Sequence, residues 1–92
     1  MLNDESYFLK FRELVPTQQG EICFSLLEKT KVLLKVTTVA DIDVRILVNE
    51  NLPEGSYLIP FFYNNLVPGE YIIKLIIQTD NLIDIISKNI QL

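Results

Sequence analysis

The feature that most restricts what this chain can fold into is a two-residue period. Apolar side chains at every second position line one face of a pleated strand, whereas a helix would need a repeat near 3.6. Glu21 to Leu26 places Ile22, Phe24 and Leu26 together, and Lys31 to Thr37 sets Val32, Leu34 and Val36 against Lys31, Lys35 and Thr37. Further runs follow at Asp43 to Val48, at Ser56 to Phe62 with Tyr57, Ile59 and Phe61 on one side, at Tyr71 to Ile77, and within Leu82 to Leu92. Ile, Val, Tyr and Phe dominate these runs, as suits a pleated surface. The first two, parted by Glu28-Lys29-Thr30, read as an antiparallel pair, and Pro60 marks its run as an edge strand or a bulge. Turn clusters at Asn49 to Gly55 and Asn64 to Gly69 punctuate the pattern, a spacing that predicts a sandwich or barrel. Leu26 to Lys35, and the series Leu82, Ile86 and Ile90, also allow helical faces, but Thr30, the β-branched Val36 to Val39 and the weight of Ile favour strands.

A chain of 92 residues builds one core and no second domain, and with 49% hydrophobic against 22% charged residues it is far from a disordered composition. The predicted core is Phe24, Leu26, Val32, Leu34, Val36, Val44, Ile59, Phe61, Tyr71, Ile73 and Leu75. Leu33, Leu58, Phe62, Ile72 and Ile76 fall on the opposite faces, more apolar surface than a lone monomer leaves exposed, which predicts a docking patch. Residues 1–15 read as an arm before a domain of 16–92. Within the arm, Tyr7, Leu9 and Phe11 alternate with Phe8, Lys10 and Arg12, a short strand able to pair with its own or a neighbour's sheet edge. The predicted partner-binding set is therefore Tyr7, Phe8, Leu9, Phe11, Leu58, Phe62, Ile72 and Ile76. Lys29, Lys31, Lys35, Arg45 and Lys74 read as solvated strand faces.

The residue inventory removes most chemistry. The chain has no His, so imidazole-dependent triads, zinc sites and acid–base pairs are excluded. The single Cys23 cannot close an internal disulfide and reads as a small buried thiol. Gly20, Gly55 and Gly69 are isolated, which leaves no phosphate-cradling loop. Asp41 and Asp43 suit turn capping better than calcium. No catalytic residue, metal, cofactor or small-molecule substrate is expected. A net charge of −4 argues against nucleic acid as a partner. The apolar runs, interrupted by Lys74, Gln78, Asp80 and Asp84, predict no membrane span. Met1 to Ser6 lacks the basic flank and apolar stretch of a secretory signal, so export by the usual route is not expected.

The series Phe24-Ser25-Leu26, Lys31 to Val36, Val44 to Asn49, Leu52-Pro53-Glu54-Gly55-Ser56-Tyr57, Asn65 to Tyr71 and Lys88-Asn89-Ile90 resembles two immunoglobulin-like families. These are the domain of the flagellar hook-cap scaffolding protein and the C-terminal sorting domain of the type IX secretion system. The resemblance spans about residues 16 to 92 and rests most on two Leu-Pro-x-Gly-like turns, each before a Tyr strand. It implies an all-β, immunoglobulin-like antiparallel β-sandwich, a Greek key of about seven strands without an active site. Asp41 stands where the families commonly have a turn glycine, Thr37 where they have Tyr and Phe61 where they have Trp. Their Asn-Pro-rich lead-in is replaced here by Tyr7 to Arg12.

The expected role is a non-enzymatic accessory subunit, decorating or bracing a larger assembly such as a phage capsid, phage tail or injection apparatus. It would be present in multiple copies on a protein scaffold and assembled in the cytoplasm into a virion-like particle. The alternative is a sorting or adhesion domain excised from a longer type IX-secreted protein, which would place it outside the cell or at its surface.

Overall fold

A computed structural model describes residues 8–14, 19–80 and 82–92 of the chain. Seven strands carry the described fold: β1 (Phe8–Leu14), β2 (Gln19–Leu26), β3 (Thr30–Thr38), β4 (Asp43–Leu52), β5 (Gly55–Phe62), β6 (Glu70–Gln78) and β7 (Ile83–Gln91). No helix occurs among the described residues. The strands form two antiparallel sheets, one of order β1-β2-β5 and one of order β4-β3-β6-β7. One apolar core drawn from both sheets lies between them in a sandwich-like arrangement.

Alternation explains which residues meet there. Ile22, Phe24 and Leu26 from β2 face Val32, Leu34 and Val36 from β3 and Ile73, Leu75 and Ile77 from β6, all at most 3% exposed. Phe61 is wholly buried against Phe11, whose ring stands edge-on at 6.4 Å, and Tyr63 at 5.6 Å. Val44 and Ile59, expected in the core, are only partly buried and pack at its margin, because β4 and β5 are edge strands with a neighbour on one side only. Ile22, Val48, Tyr63, Ile77 and Ile90 join the core beyond the predicted set.

The expected β2–β3 pairing does not form. β2 lies between β1 and β5, and β3 between β4 and β6, so Leu27 to Lys29 carry the chain from one sheet to the other. Two apolar faces of equal period can either lie side by side or confront each other. Crossing between layers lets them confront each other, which removes both from water. The stretch expected as a turn from Asn49 also differs, since β4 continues to Leu52 with Thr30↔Leu52 and Lys31↔Asn51 in register. Polar Asn49, Glu50 and Asn51 are tolerated there because this is an exposed edge. Pro60 does lie on an edge strand, opposite Glu21, where its missing N–H removes little pairing.

Three turns set the ends of the sandwich. β3 and β4 join through Val39 to Ile42: Thr38 N–H donates to Ile42 O, Asp41 N–H donates to Thr38 O, and Thr38 Oγ1 accepts from the amides of Ala40 and Ile42. Asp41 takes φ +68°, a left-handed conformation that a short polar side chain tolerates better than most. The other two turns repeat one device. Tyr57 Oη donates to Pro53 O at 2.6 Å, and Tyr71 Oη donates to Val67 O at 2.5 Å, each four residues upstream. Between donor and acceptor sit Gly55 and Gly69 at φ +145° and +157°, which L side chains rarely adopt although the space beside them is open.

Candidate interaction surface

The outer face of the three-stranded sheet carries the β5 pair Leu58 and Phe62, 51% and 54% exposed. In cross-strand register Leu58 stands beside Cys23, with Lys10 on the far side of Cys23, and Phe62 beside Gln19. An open depression of about 260 Å³ lies on this side, lined by Cys23, Phe24, Ser25, Ser56, Tyr57 and Leu58. Cys23 is half-buried there, not core, because alternation with Ile22 and Phe24 turns it to the outside. Arg12 pairs with Glu21 across β1 and β2 on the same face.

The outer face of the four-stranded sheet is organised in cross-strand rows. One row runs Asn49, Leu33, Ile76, Ile85, and the row four residues along runs Asp43, Thr37, Ile72, Asn89. Leu33, Ile72 and Ile76 are half-buried because β3 and β6 are central strands with neighbours on both sides. The edge residues Ile46, Ile83 and Ile85 are 56%, 60% and 60% exposed. Between these two rows, Lys35 and Lys74 stand directly opposite each other, a like-charge pair that would repel. Acids at the β3–β4 turn and the start of β4 answer both: Asp43 pairs with Lys35 at 2.9 Å, and Asp41 pairs with Lys74. The hydrogen bond from Lys74 and then its charge, with that of Lys35, hold the Asp41 carboxyl below the ordinary aspartate range. These two lysines are thus only about one-fifth exposed, not freely solvated as expected from sequence.

Arg45 also departs from that expectation. Its Nη1 donates to Phe62 O at 2.9 Å, and its guanidinium lies 5.9 Å from the Phe61 ring centroid, so it bridges from β4 to β5 where the two sheets meet.

The structure separates the residues expected to bind a partner. Leu58 and Phe62 lie on one outer face, and Ile72 and Ile76 on the other. Leu9 and Phe11 point between the sheets and pack against the core, since β1 pairs along its whole length with β2 from Phe8↔Ser25 to Leu14↔Gln19. Tyr7 and the side chain of Phe8 lie outside the described residues. Sequence reasoning passed over Ile46, Ile83 and Ile85; the signal available for the last two was the Ile83, Ile85 alternation. Among the described residues no group of three or more Cys, Asp or Glu side chains is placed to hold a metal ion, and no helix is long and apolar enough to cross a membrane.

Compared with protein-family models, curated proteins and solved structures, the chain matches none.

Proposed function

We propose that this chain is a non-enzymatic, immunoglobulin-like Greek-key module that serves as an accessory subunit of a larger protein assembly. Two observations support the fold reading. The second strand pairs with the fifth and the third with the sixth, so the sheet orders interleave as in immunoglobulin-like sandwiches. Tyr71, second residue of β6, also returns its hydroxyl to the backbone four residues upstream, the corner that such sandwiches use between their sheets.

The observation that carries the functional reading is the pair of exposed large apolar residues on β5, Leu58 and Phe62, the first of which also lines a shallow apolar depression. Contiguous exposed apolar surface rimmed by polar residues favours a protein partner, and a sheet face without His or an acidic cluster offers little for catalysis. A decorating or bracing subunit of a capsid, tail or injection apparatus fits this surface, because many copies make many modest contacts count. The test is size fractionation of native extracts that contain the chain. Migration with large particles, and release of a folded Leu58→Ser, Phe62→Ser variant, supports the reading. A chain that migrates at its own 10.6 kDa throughout sinks it.

A further inference from the structure

Of the four sheet edges, three are blunted. β5 carries Pro60, and its Phe62 carbonyl is taken by Arg45. β4 has two register shifts against β3. β1 is the shortest strand, with Lys10 and Arg12 among its seven residues. Pro, bulges and charged side chains are the usual guards of an edge. β7 differs: nine residues, Ile83–Gln91, pair with β6 without a shift, contain neither Pro nor Gly, and carry only two charges, of opposite sign.

The direction of its free backbone groups follows from the turns. Gly69 and Leu92 exchange both amide hydrogen bonds, and Thr79 N–H donates to Leu82 O at the other end. Hydrogen-bonded and non-bonded pairs alternate along an antiparallel ladder. Even-numbered residues of β7 therefore direct N–H and C=O to β6, and Ile83, Ile85, Ser87 and Asn89 direct theirs to the edge at which no described strand pairs.

The two charges on β7 are Asp84 and Lys88, which lie symmetrically about Ile86. Neither forms an ion pair with another described residue. We propose that β7 is a self-pairing edge: two copies of this chain join antiparallel about a two-fold axis through Ile86, extending the four-stranded sheet across both. In that register Asp84 stands opposite Lys88 of the second copy, twice by symmetry, and Ile86 opposite Ile86. These are non-hydrogen-bonded pairs, whose Cα atoms approach to about 4.5 Å, the closer of the two spacings. The free-edge groups match in the same register, Ile85 with Ser87 and Ile83 with Asn89, so that four residue pairs are hydrogen-bonded. Moving the axis to Ser87 sets Asp84 against Ile90, and moving it to Ile85 sets Asp84 against Ile86, so one register alone satisfies both charges. The exposed Ile85 of each copy lies diagonally beside the other's, which joins the Leu33, Ile76, Ile85 rows across the seam. Such an interface is isologous and closes at two copies. It goes beyond the accessory-subunit reading and does not depend on it.

Sedimentation equilibrium of the full chain, up to about 1 mM, tests this. The wild type is expected to dimerise. Asp84→Lys and Lys88→Asp, each placing like charges opposite, should weaken the dimer at least about tenfold, and the double swap should restore it to within about threefold. Ser87→Pro removes an edge donor but no β6–β7 bond, and should give a folded monomer. Hydrogen exchange on the wild type gives a readout that needs no variant: the amides of Ile83, Ile85, Ser87 and Asn89 should slow as concentration rises. A wild type monomeric at the highest concentration, edge amides indifferent to concentration, a dimer that survives Ser87→Pro in a folded chain, or a double swap no tighter than the single reversals would each overturn the proposal.

Discussion

Removing one oxygen atom from Tyr71 is the most discriminating perturbation of this fold. Tyr71→Phe keeps the ring, which is 8% exposed and part of the core, so the transfer and cavity contributions of a truncation do not arise. What is lost is the 2.5 Å bond to Val67 O, a contact that pins the β5–β6 connection onto the start of β6. A neutral intramolecular hydrogen bond contributes about 0.5–1.5 kcal/mol net. Val67 sits in an exposed turn where water can replace the lost donor, so the desolvation penalty stays small and the cost should be about 1 kcal/mol. For a domain of this size that lowers Tm by about 4–8 °C. Tyr57→Phe is the internal control, because its bond to Pro53 O has similar length and spacing but is exposed. It should cost about 0.5 kcal/mol or less, the low end of the same range. Urea unfolding of both variants beside the wild type, with unchanged m values, gives the comparison. If Tyr57→Phe costs as much as Tyr71→Phe, or Tyr71→Phe costs nothing measurable, then burial does not set the worth of these two corners.

The other predictions concern the core and the outer charges. Phe61→Ala, at a fully buried position between Phe11 and Tyr63, should destabilise by about 3–5 kcal/mol in the same urea assay, and a loss under 1 kcal/mol would contradict the packing described. Asp41 has its carboxyl pKa depressed in the folded state, so its ionic contribution is present above the unfolded value near 3.9 and is lost as pH falls through the lower folded value. Asp41→Asn keeps a residue suited to positive φ while removing the charge. The variant should therefore be less stable than wild type at pH 7, with the difference closing below about pH 4. A difference that stayed constant through the acid range would mean that the turn, not the ion pair with Lys74, is what the substitution disturbs.

Where most strands run, and the face that most of their large apolar residues take, were determined by the sequence alone, because a two-residue period leaves the pleat little choice. Phe24, Leu34, Phe61 and Ile73 read as inward, and Leu58 and Phe62 as outward, without knowledge of any partner strand. Pro60 likewise announced an edge or a bulge, since a missing N–H is a property of the residue itself, and the fold places it on an edge. Which strands became neighbours was another matter. Alternation is identical in β2 and β3 whether they pair in one sheet or confront each other across two, and only the closed core, in which one set of apolar residues has to cover the other, decides for crossing. Polar Asn49 to Asn51 read as a turn because their place at a sheet edge depends on β3 beside them. Lys35 and Lys74 looked solvated for the same reason: 39 positions apart in the chain, they become opposite one another only when β6 docks on β3, and Asp41 and Asp43 matter only then. The symmetry of Asp84 and Lys88 about Ile86 is written in the sequence. That β7 ends the sheet, with its odd-numbered backbone groups turned outward, follows only from the assembled fold, because hydrogen-bond direction is settled by the strand that lies alongside.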